Sequence, residues 1–451
     1  MRKILWSLLV AVMFAAEPAV VHGQNPPKEP RDAPQNEVRL KTQLVEVIAV
    51  VTSKQGRPVT GLSKEDFDVR ENGRTQEVSF FSSASDANGP SRQQQPLAAR
   101  PGEVSVPPQT TPQRTVVIFV DSFNMSQENL IRAKVALHRF VDEKLTDQDM
   151  AAIVASSGSL GLLAEFTRDK AVLHYAIERL GSARVTSRSQ FTPYLAARLI
   201  AGDPLALNLA IAIVLKEDRL ENLDPVVVTR EFLANYATNK AFAVIADAGY
   251  PRRVTLKMLK AVVERLASLP GQRMMAILSD GFTLRDRSGN IDSSDLEEVL
   301  SKAGRSGTVI DSIFAGGLEG PPAFETSQGG VATIDSRTQS VNTSALSALY
   351  QAGAVEDAKD VLNAVAKDTG GEFFANTNDI LGALQSGLES NRVYYTLGYY
   401  PSNVKDEKKF RNITVKVRTH PEYVVRCQKG YFPSDSVKEL EPDRPATPEQ
   451  Q

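Results

Sequence analysis

The sequence predicts an α/β protein in which a doubly wound, mostly parallel sheet is inserted into a β-sandwich-like domain formed by strands from both ends of the chain. Three observations lead there. Apolar runs at 115–120, 150–155, 274–278 and 308–314 have the pattern of strands buried on both faces of a parallel sheet. Helical patterns separate these runs, as they do where helices cover both faces. The segments before residue 83 and after residue 390 are instead rich in short strand patterns. Neither segment alone carries enough strands for a stable two-layer domain, so each needs the other.

From the N-terminus, Arg2 and Lys3 precede an apolar run at 4–16, then small residues and Val21-His22-Gly23. That order describes a secretory signal peptide at 1–23, cut after Gly23. The run is shorter than the roughly 20 apolar residues a permanent span requires. The mature chain is expected in the periplasm or outside the cell, with no integral membrane segment. Residues 24–37 are Pro- and charge-rich and are expected to be disordered. Within 38–82, a β-branched run at 44–51 reads as a strand, followed by the turn Lys54-Gln-Gly-Arg-Pro58. Phe67 and Val69, then Val78 and Phe80, alternate on either side of Glu71-Asn-Gly-Arg74, whose Asn-Gly marks a hairpin. Residues 83–113 are rich in Ser, Gln, Pro and Ala and read as a flexible linker.

The central domain is expected at 114–390. After the strand at 115–120, Ser126 is placed to cap a helix with Leu130, Leu137, Val141 and Leu145 on one face. Strands at 150–155 and 160–166 and a helix at 171–180 follow. Thr192-Pro193 is a helix start, and 205–215 reads as a buried helix interrupted by Asn208. The interval from Asp121 to Asp280 is longer than a compact domain needs, and the surplus at about 184–255 is mostly helical. Such an insertion is either a lid or partner-docking surface, or an elaboration that thickens the core. Gly370-Gly371 ends a helix and permits the turn into a strand. The C-terminal strands at 391–433 include 394–400 and the alternating Ile413, Val415 and Val417. Residues 434–451 are acidic and Pro-rich, and are expected to be disordered.

Chemistry is sparse. A net charge of −2 creates no field that would draw the chain to nucleic acid. The single cysteine, Cys427, excludes an intramolecular disulfide and reads as a packed strand residue. His138, His174 and His420 stand at no zinc-ligand spacing, and the first two, lying in helical stretches, read as structural. There is no Gly-x-Ser-x-Gly elbow and no Walker-type phosphate loop. Gly158-Ser-Leu-Gly161 is a turn between strands. These absences point away from an enzyme, although 54 acidic residues leave a motif-free hydrolase pair as an alternative.

The strand that ends at Asp121 and the strand that ends at Ser279-Asp280-Gly281 resemble the first and fourth strands of the von Willebrand factor A-type (VWFA) fold. The segments 56–67, Asp68-Val-Arg-Glu-Asn-Gly73, Ala366-Lys-Asp-Thr-Gly-Gly371 and Tyr395-Thr-Leu-Gly-Tyr399 are similar to an exported, VWFA-related family of acidobacteria, over residues 40–433. That resemblance implies a protein-binding or adhesion module with a metal-ion-dependent adhesion site. In such a site an Asp-x-Ser-x-Ser loop, a Thr and a second Asp hold Mg²⁺ or Ca²⁺, hard cations suited to oxygen ligands. Here Asp121 and Asp280 match the two acidic positions, but Phe123 and Met125 occupy the two Ser positions. The site is therefore degenerate. Ser122, Asn124 and Ser126 are the remaining loop candidates, and Thr186 or Thr192 would supply the Thr ligand. Without a cation, Asp121 and Asp280 are strand-end residues that hydrogen-bond neighbouring backbone amides, and Ser126 caps its helix. The partner is then an unidentified protein ligand, and the competing reading is a structural subunit of a cell-envelope assembly that needs no metal.

Overall fold

The computed structural model describes residues 44–84, 114–158, 166–183, 189–224, 226–269, 272–286, 288–318, 343–402 and 409–433. The expected signal peptide, the segments 24–37, 85–113 and 434–451, Thr186, and the expected strand at 160–166 up to residue 165 lie outside them.

Four strands precede the parallel sheet: β1 (Val45–Thr52), β2 (Phe67–Glu71), β3 (Arg74–Gln76) and β4 (Val78–Ala84). Asn72 and Gly73, with φ of 49° and 80°, make the tight turn that joins β2 to β3. This is the left-handed pair a two-residue hairpin requires. Strand β4 continues through Ser83 and Ala84, the first two residues of the expected linker. Those two residues are held by ladder pairing to Tyr395 and Tyr394, a long-range contact that overrides their weak strand propensity.

The middle of the chain alternates strands and helices. Its elements are β5 (Arg114–Val120), α1 (Gln127–Glu143), β6 (Asp149–Ala155), α2 (Lys170–Glu178), α3 (Pro193–Ile200), α4 (Pro204–Glu217), α5 (Arg230–Ala267), β7 (Gln272–Ser279), α6 (Ser294–Ser306), β8 (Thr308–Phe314), α7 (Thr343–Thr369), β9 (Phe373–Phe374) and α8 (Ile380–Ser390). The five strands form one parallel sheet in the order β6-β5-β7-β8-β9. Every residue of β5 and β8 is buried, as the unbroken apolar runs require. Successive residues of β5 point to opposite faces. Val116, Ile118 and Val120 pack with α1, α2 and α8, whereas Val117 and Phe119 pack with α5, α6 and α7. A buried bidentate pair, Arg114 to Asp149 at 2.7 and 2.9 Å, fixes the starts of β5 and β6 side by side.

Caps set the helix starts. Ser126 Oγ accepts from Asn129 N, Asp169 from Ala171 N and Thr192 Oγ1 from Leu195 N. The expected surplus at 184–255 is not a separate appendage. Helix α5 runs unbroken for 38 residues, through Pro251. Its first half, with Leu233, Ala237, Ala241 and Ile245, packs on α3 and α4, while Leu256, Leu259, Val263 and Leu266 pack on the sheet. Helix α7 spans the same two cores through Tyr350 and Leu362.

The chain ends in β10 (Tyr394–Tyr399), β11 (Arg411–Val417), β12 (Val424–Arg426) and β13 (Gly430–Tyr431). These strands interleave with those from the N-terminal side in two antiparallel sheets, β12-β1-β10-β4 and β13-β11-β2-β3. Val47, Val51, Phe67, Tyr395, Leu397, Ile413 and Val415 share one apolar core. Inside it, Glu71 Oε2 accepts hydrogen bonds from Tyr399 and Tyr431 at 2.8 and 2.9 Å, and Oε1 accepts from Arg411 at 2.9 Å. Cys427 follows β12 and packs against this core, where burial pushes its thiol up to about 11. No helix among the described residues is long and apolar enough to cross a membrane.

Two predictions concern stability. Glu71→Gln leaves Arg411 as a buried, unpaired cation and is expected to cost about 3 kcal/mol in urea denaturation. Asp311, buried in β8, accepts from Glu372 N and Asn391 Nδ2, and burial raises its carboxyl from 3.8 to about 6. A raised carboxyl favours the folded state below pH 3.8, and that advantage is lost as pH rises through about 6. Asp311→Asn is expected to remove this dependence, worth about 3 kcal/mol between pH 4 and 7, from denaturation midpoints followed against pH.

Candidate functional site

In the order β6-β5-β7-β8-β9, the connection from β5 goes to one side and the connection from β6 returns to the other. The order therefore reverses at the carboxyl ends of β5 and β7, the switch point where open α/β sheets position ligands. Asp121 and Asp280 are the residues directly after these strands.

Asp121 is fully buried. Its Oδ1 accepts from Thr255 Oγ1 at 2.9 Å, Ser156 Oγ at 3.1 Å and Asn124 Nδ2 at 3.1 Å. Its Oδ2 accepts from Ser279 Oγ at 2.7 Å and Asn124 Nδ2 at 2.9 Å. All four donors are neutral. Burial pushes the carboxyl above the ordinary carboxylate range, and the hydrogen bonds from Ser279, Asn124, Thr255 and Ser156 pull it partly back.

Asp280 serves the neighbouring loop. Its Oδ2 accepts from the backbone N–H of Ser126 at 2.8 Å, and its Oδ1 from Asn129 Nδ2 at 2.7 Å. A carboxylate at these positions satisfies orphan donors at the start of α1 and complements the helix dipole. Gly281, at φ 79°, carries the chain past Ala358, whose backbone oxygen would lie 2.7 Å from any added Cβ. Side chains are excluded there on both counts.

The other expected ligands are occupied in different ways. Ser122 Oγ lies 2.7 Å from Ser157 Oγ and accepts from Ser157 N, facing β6. Ser126 Oγ is the helix cap. Asn124 turns its amide N–H₂, a donor, toward Asp121. Thr192 caps α3. Met125 is completely buried in the core beneath α1, and Phe123 meets Tyr250 edge to ring at 6.1 Å. Thr255, Ser156 and Ser279, which the sequence alone did not single out, complete the shell around Asp121.

In this arrangement the carboxyl oxygens of Asp121 accept from hydrogen-bond donors, Asn124 turns its amide N–H₂ toward them, and the Met125 sulfur lies in the core. Among the described residues, no group of three or more His, Cys, Asp or Glu side chains is placed to hold a metal. What the arrangement does is lock two strand ends, the first loop and α5 into one rigid surface. In comparisons with known proteins, no family model matches the chain and no curated protein is significantly similar to it.

Thr255→Val keeps the volume of a fully buried side chain and deletes one donor to Asp121. It is expected to lower stability by about 2 kcal/mol in urea denaturation. Asp121→Ala, which strips the acceptor from all four donors, is expected to cost more than Thr255→Val in the same assay.

Proposed function

We propose that the chain is an exported, non-catalytic protein-binding module: a VWFA-type α/β domain inserted into a β-sandwich, with a degenerate adhesion site that binds its partner without a coordinated cation. The observation that carries the reading is the position and state of Asp121. It lies at the switch point of the sheet, and neutral donors do there what a cation would otherwise do. A surface suited to protein contact adjoins it. Tyr250 is 59% exposed next to Phe123, and Phe232 and Tyr236 stand exposed further along the same helix, their rings 6.2 Å apart. Exposed aromatics on a rigid element are the residues that anchor protein interfaces. The two-ended domain supports the insertion reading, because its sheets draw strands from both sides of the α/β unit. Export rests on the N-terminal signal-peptide pattern at 1–23.

The test is photo-crosslinking in the exporting cell, with a photoreactive phenylalanine analogue at position 250 of the full chain. One discrete protein adduct, lost on Phe123→Ala and unchanged by EDTA, is the expected result. An adduct abolished by EDTA and restored by Mg²⁺ would replace the metal-free mechanism with the metal-mediated one. The absence of any protein adduct would remove the binding surface from this face.

A further inference from the structure

Helices α1 and α2 carry the same chemistry at the same spacing. Lys134, His138 and Asp142 stand four residues apart on α1, and Lys170, His174 and Glu178 do so on α2. Residues at this spacing share one face of a helix. The helices meet antiparallel along the two stripes. Lys134 Nζ donates to the carbonyl oxygen of Glu178 at 2.9 Å, and Lys170 Nζ to that of Asp142 at 3.0 Å. Between these clamps the histidines meet, Nδ1 to Nδ1, at 2.7 Å. Behind them, His138 Nε2 lies 2.9 Å from Glu178 Oε1 and His174 Nε2 lies 2.8 Å from Asp142 Oδ1.

An ionised carboxylate only accepts, so each Nε2 carries its hydrogen and each neutral ring is left with a bare Nδ1 lone pair. The rings are 16° from parallel with centroids 5.0 Å apart. With their Nδ1 atoms 2.7 Å apart, they meet edge to edge rather than face to face. Two lone pairs so close repel unless an electrophile joins them. A carboxylate behind each imidazole is also the arrangement that fixes the tautomer of a metal-bound histidine and raises its basicity.

We propose that His138 and His174 form a two-histidine site for an imidazole-preferring transition ion, Cu²⁺, Ni²⁺ or Zn²⁺, with Glu178 and Asp142 holding the ligands from behind. Water completes the coordination, because the two imidazoles are about 30% exposed and open to solvent. Metal–nitrogen bonds of about 2.0–2.1 Å separate the two donors by about 2.9 Å at a right angle and about 3.4 Å at a tetrahedral one. The two Nδ1 atoms face each other nearly head-on, so the partly exposed rings tilt as well as part to converge on the ion. Hard Mg²⁺ and Ca²⁺ gain little from nitrogen ligands and are excluded by the same chemistry. The site is separate from the carboxylates at the sheet's switch point and does not depend on the proposed binding function.

Calorimetric titration of the full chain with Cu²⁺ and Zn²⁺ at neutral pH tests it, with Mg²⁺ as control. One equivalent is expected to bind, with binding lost in His138→Gln and in His174→Gln and kept in Asp280→Asn. Glu178→Gln is expected to weaken binding roughly 10-fold while leaving its stoichiometry unchanged. Electron paramagnetic resonance of the Cu²⁺-loaded wild type provides a readout that needs no variant, and coupling to two imidazole nitrogens is expected. Saturable binding that survives both histidine substitutions, coupling to fewer than two nitrogens, or no saturable binding at all would overturn the proposal. In the last case the pair is joined by a proton only.

Discussion

A fully buried carboxyl must be surrounded by hydrogen-bond partners, and at Asp121 that requirement organises the α/β unit. The four donors come from the loop after β5, the end of β6, the middle of α5 and the end of β7. Displacing any one of these segments leaves the carboxylate under-satisfied, which is costly in a low-dielectric interior. Three strand ends and the long helix are therefore held in register by one side chain. The helical layer of α3 and α4 is packed on the first half of α5, so it inherits the same anchor.

A second constraint acts on the two-ended β-domain. Strand β10 lies between β1 and β4, and β11 pairs with β2, so neither end of the chain completes a sheet without the other. The ladder supplies backbone hydrogen bonds but does not by itself tie one sheet to the other. Glu71 does so, because its carboxylate reaches Arg411 and Tyr431 in one sheet and Tyr399 in the other. The domain also leans on the α/β unit. Thr369 bridges to Gln428, and Lys429 N donates to the carbonyl oxygen of Asp368, where α7 ends.

The local features of the fold were legible because their causes are local. The unbroken apolar run of β5, the Asn72-Gly73 turn and the caps at Ser126 and Thr192 each follow from a few adjacent residues. The pairing of both chain ends was legible from a deficit, since each end carried strands without a partner sheet. The shell of Asp121 was not, because Thr255, Ser156 and Ser279 are ordinary hydroxyl residues that acquire a role only when distant segments meet. The length of α5 was not legible, because it depends on packing at both ends that carries Pro251 within the helix. The two histidines looked unrelated because no short motif joins them, although the repeated Lys-x₃-His-x₃-acid spacing was present in both helices.

The side chains of the first loop and the hydrogen bonds around Asp121 have a common physical logic. A cation-binding loop needs oxygen side chains turned inward and must tolerate exposure, which limits how much of it can be buried. Placing Met125 in the core beneath α1 adds apolar burial to the same loop, and burying its sulfur removes a side chain from the surface. Asp121 at the base of the same loop is fully buried, the condition under which neutral hydroxyl donors become worth most. Asp280 accepts from the start of α1 and fixes the helix that begins there. The outcome is a site whose hydrogen-bonding groups face inward, with the aromatic pair Phe123 and Tyr250 beside it.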